Sequence, residues 1–337
     1  MRKSFDILNR EGAHLIMNSR DIDSPVGISS YLVIKKFIDT QDQSPNGVFF
    51  NKAMSLLDRE LRKDGVDIHL PHCWYRWGDE VVKILMPREI KWNHESTYHT
   101  LIDWNTTARP FDDSGLMKKI EPYVDEIIAE YASKNIDDVI EEVYSYAPFD
   151  FQRKFRTCRE AIGDCLHSKI DWKDFSETML IPYYKSACDS FPRKEFPIVA
   201  KHLPVFERTM EYLLTRRENS EANCILANEI SEEFWFWYCY FLRINKKAHE
   251  NIPENTIDYW ASRLENETIR YERFIGDHLL QLNEIDSDLN NDNILLPLIE
   301  SRRSTSLEEN EILSEYAKDI QDIDATHCDF KINPTIR

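Results

Sequence analysis

Five potential metal ligands crowd one part of the chain: His69, His72 and Cys73, then His94 and His99. Imidazole nitrogen and thiolate sulfur both suit Zn²⁺, and two short local groups brought together by the fold are a common way to build such a site. The spacing matches no strong zinc signature. In the competing reading Leu70, Trp74 and Trp77 pack inward while the histidines cap strands or hydrogen-bond carbonyls. That packing reading is favoured, and neither a metal nor another cofactor is expected.

The same stretch carries Trp74, Tyr75, Arg76 and Trp77, then Gly78, Asp79 and Glu80. Tryptophan, tyrosine and arginine are the residue types enriched at interface hot spots. Trp74, Tyr75, Arg76, Trp77, Asp79 and Glu80 are therefore the expected binding surface. The alternative is an ordinary small core with a buried ion pair. Gly78 breaks the run, and Asp79 is expected to cap a short helix beginning at Glu80. Upstream, Asp58, Arg59 and Glu60 are adjacent on a helix and point in different directions, which predicts a solvated face.

A third set of residues could do acid–base chemistry. HEPN-type ribonucleases use an Arg-x(4–6)-His motif, which sets a cation beside a general acid or base on one helical region. Arg243 with His249 and Arg273 with His278 both have that spacing. With this many arginines and histidines, chance alone supplies roughly two such pairs. A HEPN-like ribonuclease is thus the alternative reading rather than the first.

Composition narrows the classes. The glycines, at 12, 27, 47, 65, 78, 115, 163 and 276, are never closer than 13 apart, so no P-loop or dinucleotide fingerprint can be written. The seven cysteines are scattered without a Cys-x-x-Cys pair, which argues against a disulfide framework. The longest apolar run, Phe234 to Leu242, is nine residues, against about 20 for a membrane span. The N-terminus has no apolar signal core, so a cytoplasmic protein with no membrane association is expected. The net charge of -18 lies wholly beyond residue 110: residues 1–110 hold 15 basic and 15 acidic side chains, the remainder 27 and 45. That acidic remainder argues against binding a nucleic-acid backbone.

The elements that position these residues can be read from periodicity. Ser24-Pro25 and Ser44-Pro45 each give an N-cap followed by proline, a helix start. Phe50, Ala53, Met54, Leu57 and Leu61 form an apolar stripe, off which Lys52, Arg59, Glu60 and Lys63 fall, and Gly65 ends the helix. Ile90, Trp92, Thr100, Ile102 and Trp104 alternate with polar residues, which predicts a hairpin turning at 94–97. Residues 107–115 suggest a boundary. Helices are predicted beyond it, over 222–247 (apolar all round) and 254–282. A loop over 285–305 and a terminal helix near 306–323 follow, the latter opened by a Ser306–Glu309 capping box. The expected fold is mainly α. A small winged-helix-like α+β domain (1–110) with one β-hairpin precedes an acidic α-helical bundle (111–337).

Three features of the N-terminal part resemble the Panacea domain, a SocA-like antitoxin family. They are the helix Asn51-Lys52-Ala53-Met54-Ser55-Leu56-Leu57-Asp58-Arg59-Glu60, the Tyr75-x-Trp77-Gly78 element, and the short helix starting just after that glycine. The family usually has proline where this chain has Asp79. The resemblance covers residues 24–105 and implies a protein-binding module, often an antitoxin or adaptor, and supplies no catalytic residue. The expected function is accordingly protein–protein recognition. HEPN-like cleavage of RNA and winged-helix DNA binding are the alternatives, and a homo-oligomer is left open.

Overall fold

Ser24 opens the first helix among the described residues, as its sequence predicts. Its hydroxyl accepts from Gly27 N at 3.1 Å, Pro25 occupies the first turn, and α1 runs Pro25–Gln41. The computed structural model describes residues 21–94, 100–105, 107–112, 115–166, 180–215, 220–285, 289 and 292–306. The second start signal shifts. Asn46, not Ser44, caps α2 (Gly47–Lys63) by accepting from Phe49 N at 2.7 Å. Ser44 bonds Asp103 instead, and the Pro45 carbonyl accepts from Ile102 N, so both are taken up by a neighbouring strand. At the other end, Gly65 adopts φ 75°, Val66 N reaches Leu61 O and Gly65 N reaches Arg62 O. This paired Schellman closure favours a residue without a Cβ.

The short helix expected at Glu80 is absent. The chain forms a hairpin there, β1 (His72–Tyr75) and β2 (Gly78–Val81), joined by the two residues Arg76 and Trp77. Gly78 sits at φ 96°, and a Cβ on it would lie 2.9 Å from the Tyr144 ring. Asp79 cannot cap a helix because its carboxylate is used across the ribbon. A 3₁₀ turn at Lys83–Leu85 follows. The predicted hairpin is present as β3 (Ile90–His94) and β4 (Thr100–Trp104), with Ile90 opposite Trp104 and Trp92 opposite Ile102. Its expected turn falls largely on residues 95–99, outside the described residues.

Beyond residue 115 the chain is helical: α3 (Leu116–Tyr131), α4 (Ile136–Tyr144), α5 (Asp150–Leu166), α6 (Ile181–Asp189), α7 (Pro197–Thr215) and α8 (Ser220–Leu242). Then come β5 (His249–Glu250), α9 (Glu254–Ala261) and α10 (Leu264–Ile285). The single helix expected over 254–282 breaks at Ser262, whose hydroxyl donates back to Tyr259 O and competes with the backbone ladder. Residues 296–306, expected as loop, are helical. The expected terminal helix lies outside the described residues beyond 306.

The fold is mainly α, as expected, with small antiparallel sheets. β5 pairs with β1 and completes a three-stranded sheet of order β2-β1-β5. α3, which follows residues 107–115, lies against both α1 and α2. One contiguous core runs from Val26 to Ile299. The aromatic run of α8 is its centre. Phe234, Trp235, Trp237 and Tyr238 are fully buried. Phe234 stacks on Phe206 at 4.0 Å between centroids, and Trp237 on Tyr271 at 4.3 Å. No helix among the described residues is long and apolar enough to cross a membrane.

Replacing Phe234 with alanine removes a ring packed against five others. The expected loss is about 3–5 kcal/mol, measured as a lower midpoint in urea unfolding with an unchanged slope.

Candidate functional site

The β1–β2 ribbon alternates in the usual way. His72, Trp74, Asp79 and Val81 share the face toward α2, where Trp74 and Val81 join the main core. Cys73 packs in a separate small cluster with Val82 and Leu85. Burial pushes the Cys73 thiol well above its ordinary range, so it offers no thiolate.

α2 answers that face with polar side chains. Ser55, Asp58 and Arg62 follow one another at helical spacing, with Lys52 one turn before and Arg59 beside them. Asp79, fully buried, is the hub. Its Oδ1 lies 2.6 Å from His72 Nδ1. Its Oδ2 accepts from Ser55 Oγ at 2.6 Å and from Arg59 Nη2 at 3.3 Å. Its main-chain oxygen accepts from Lys52 Nζ at 2.9 Å. Beyond it, Arg62 pairs Nε with Asp58 Oδ2 at 2.8 Å and Nη1 with Glu250 at 2.5 Å. The expected solvated face is thus corrected. Lys52 and Asp58 are buried under the hairpin, whereas Glu60 and Lys63 are outside and pair with each other.

The electrostatics follow from this packing. Burial works against the Asp79 carboxylate, but His72, Ser55 and Arg59 outweigh it and hold its pKa well below normal. Burial likewise opposes the His72 imidazolium, and Asp79, Glu250 and Asp58 overcome it, raising the pKa to about 10. Asp58 is raised by burial, against the pull of Arg62. Lys52 is lowered to about 8 by burial, with Glu80 and Asp79 opposing.

The structure disperses the four described members, His69, His72, Cys73 and His94, of the five ligands suggested by sequence. His69 is exposed at φ 53° with Nδ1 3.3 Å from Asp67. His94 sits at the β3 end beside Thr100 and Lys83. Cys73 faces away from His72, and His99 lies outside the described residues. Of the expected binding surface, Trp74 and Asp79 are buried and so unavailable to a partner. Trp74 packs edge-on against Tyr144. Tyr75 lies against Phe236 and Tyr240. Glu80 accepts from Trp77 N across the turn at 3.0 Å. Arg76 packs over Phe236, and Trp77 is 43% exposed at the tip. Beside the tip is a groove of about 340 Å³, lined by Arg76, Glu229, Glu232, Glu233, Phe236 and Phe274.

The two Arg/His pairs are arranged differently from one another. Arg243 follows α8 and lies over the rings of Tyr75, Tyr240 and Trp260, while His249 is in β5. Arg273 and His278 are both on α10, five residues apart and hence on different faces, with His278 against Phe274. The sequence places Asp58 on a solvated face and gives no signal for Glu250; the one local signal was the polar stripe Ser55–Asp58–Arg62. The chain matches no protein-family model, and no curated protein or solved structure is significantly similar to it.

Lys52 gives a pH test. Its folded pKa, about 8, is below the ordinary 10.5, so between those values the unfolded chain binds the extra proton and stability rises with pH. Compared with Lys52→Met, the parent should gain stability as pH rises through that window, by up to about 1.4 kcal/mol per unit. Denaturant titrations of both proteins at matched pH read the difference.

Proposed function

We propose that this protein is a recognition module, antitoxin-like or adaptor-like, that docks a basic segment of a protein partner at the β1–β2 turn and the groove beside it. The observation that carries this reading is Trp77, a large aromatic exposed on a turn that is itself held rigidly. Trp235 Nε1 donates to the Arg76 carbonyl at 2.9 Å, fixing the turn to α8. A pre-positioned aromatic loses little freedom on binding and makes an effective anchor.

The groove supplies the complementary chemistry. Three glutamates line it with Phe236 and Phe274; Glu232 and Glu233 already pair with Arg159 and Arg270, and Glu229 beside the two rings is the part suited to a lysine or arginine side chain. The excess charge of residues 111–337 has the same sign and would steer a basic partner toward it. The resemblance of residues 24–105 to the Panacea domain, which rests on the α2 helix and the Tyr75-x-Trp77-Gly78 element now that a strand replaces the short helix after the glycine, points to the same functional class.

The test is to identify partners by cross-linking and mass spectrometry on the full chain, then to measure affinity for the purified partner. Trp77→Ala should weaken binding by about thirtyfold with thermal stability unchanged. Equal binding by Trp77→Ala and the parent would remove the turn from the interface.

A further inference from the structure

Two buried polar atoms stand unpaired where α2, β1 and β5 meet. Asp58 and His72 are 3% and 8% exposed, yet neither Asp58 Oδ1 nor His72 Nε2 has a hydrogen-bond partner. A buried polar atom left without a partner is destabilising. Asp58, His72 and Glu250 bring one donor atom apiece to within 4.8 Å of one another, and His72 Nε2 faces Glu250 Oε2 at 3.9 Å.

The opposite ring nitrogen is already committed. His72 Nδ1 meets Asp79 at 2.6 Å, the carboxylate–imidazole arrangement that orients a ring and directs its Nε2 lone pair at a metal. Charge points the same way. Four carboxylates (Asp58, Asp67, Asp79 and Glu250) meet only two guanidiniums, Arg59 and Arg62, besides the imidazole. With His72 as an imidazolium this group carries one net negative charge; once the incoming ion displaces the Nε2 proton it carries two, which a divalent cation balances.

We propose that Asp58, His72 and Glu250 form a binding site for a divalent transition-metal cation, with Asp79 orienting His72 from behind. One imidazole and two carboxylates suit Zn²⁺ or Mn²⁺, whereas Ca²⁺ and Mg²⁺ prefer oxygen donors alone. Metal–ligand bonds of about 2.0–2.2 Å place donors roughly 3.3 Å apart, so the site must contract. Glu250 supplies the movement, since its side chain is 50% exposed and Arg62 holds it. Arg62 is therefore the competing cation. The incoming ion takes the place of the Nε2 proton, Glu250 turns inward, and Arg62 shifts toward Asp67, now 3.7 Å away. Three protein ligands leave a coordination position open.

The test uses the full chain stripped with EDTA and titrated with Zn²⁺, and separately with Mn²⁺, by calorimetry and thermal melting. One equivalent should bind and raise Tm. Glu250→Gln should weaken binding by about tenfold or more. Arg62→Met should tighten it and enlarge the metal-induced rise in Tm, a sign that a merely structural ion network would not give. Co²⁺ should produce visible absorption bands that His72→Gln abolishes. The site is refuted if neither Zn²⁺ nor Mn²⁺ binds saturably to the parent, or if Glu250→Gln binds as tightly as the parent. Glu250→Gln keeps the test decisive should the buried variants fail to fold.

Discussion

The Asp79 carboxylate is the constraint on which the hairpin region depends. A charge with no exposure to solvent is tolerable only where its attraction to partners offsets desolvation, and here His72, Ser55 and Arg59 converge on it. Those partners come from α2 and β1, and Asp79 itself from β2. One buried ion thus fixes a helix and two strands in a single arrangement. Removing one member of such a set leaves the others buried and uncompensated, commonly at a cost of about 3–5 kcal/mol.

A second clamp comes from the far end of the chain. β5 adds to the free edge of β1, and Trp74 N donates to Ala248 O at 2.7 Å. Asn251 reaches the Leu70 carbonyl, and Trp235 reaches that of Arg76. An open strand edge, a hazard for unwanted pairing, is thereby covered. The same contact delivers Glu250 to His72 and Asp58. The polar cluster exists because residues distant in sequence complete one sheet, and the turn carrying Trp77 is gripped on one side by α2 and on the other by α8.

Rigidity and chemistry therefore sit close together. The exposed turn and its acidic groove lie at one end of the ribbon, and the cluster around His72 at the other. Any change in the charge of that cluster acts on Asp79 first, through a 2.6 Å contact, and Asp79 is part of what holds β2 and the turn in place.

The sequence alone determined the features that rest on local chemistry or period. Ser24 with Pro25 starts a helix and Gly65 ends one because capping geometry involves only neighbouring residues. The β3–β4 register follows from a two-residue alternation, and the aromatic run of α8 had to be buried somewhere. Tertiary structure decided the rest. Gly78-Asp79-Glu80 reads as a helix start when Asp79 is free to cap, and becomes a strand once His72 and Ser55 claim its carboxylate. Lys52 reads as solvent-facing because it falls off the apolar stripe, and Asp58 because it and its neighbours Arg59 and Glu60 point in different directions, but burial depends on what packs over a helix, and a hairpin does so here. The grouping of His72 with Asp58 and Glu250, rather than with Cys73 or His94, was beyond any spacing rule. Strand alternation turns Cys73 away, and a two-residue strand too short to register as a pattern brings Glu250 in.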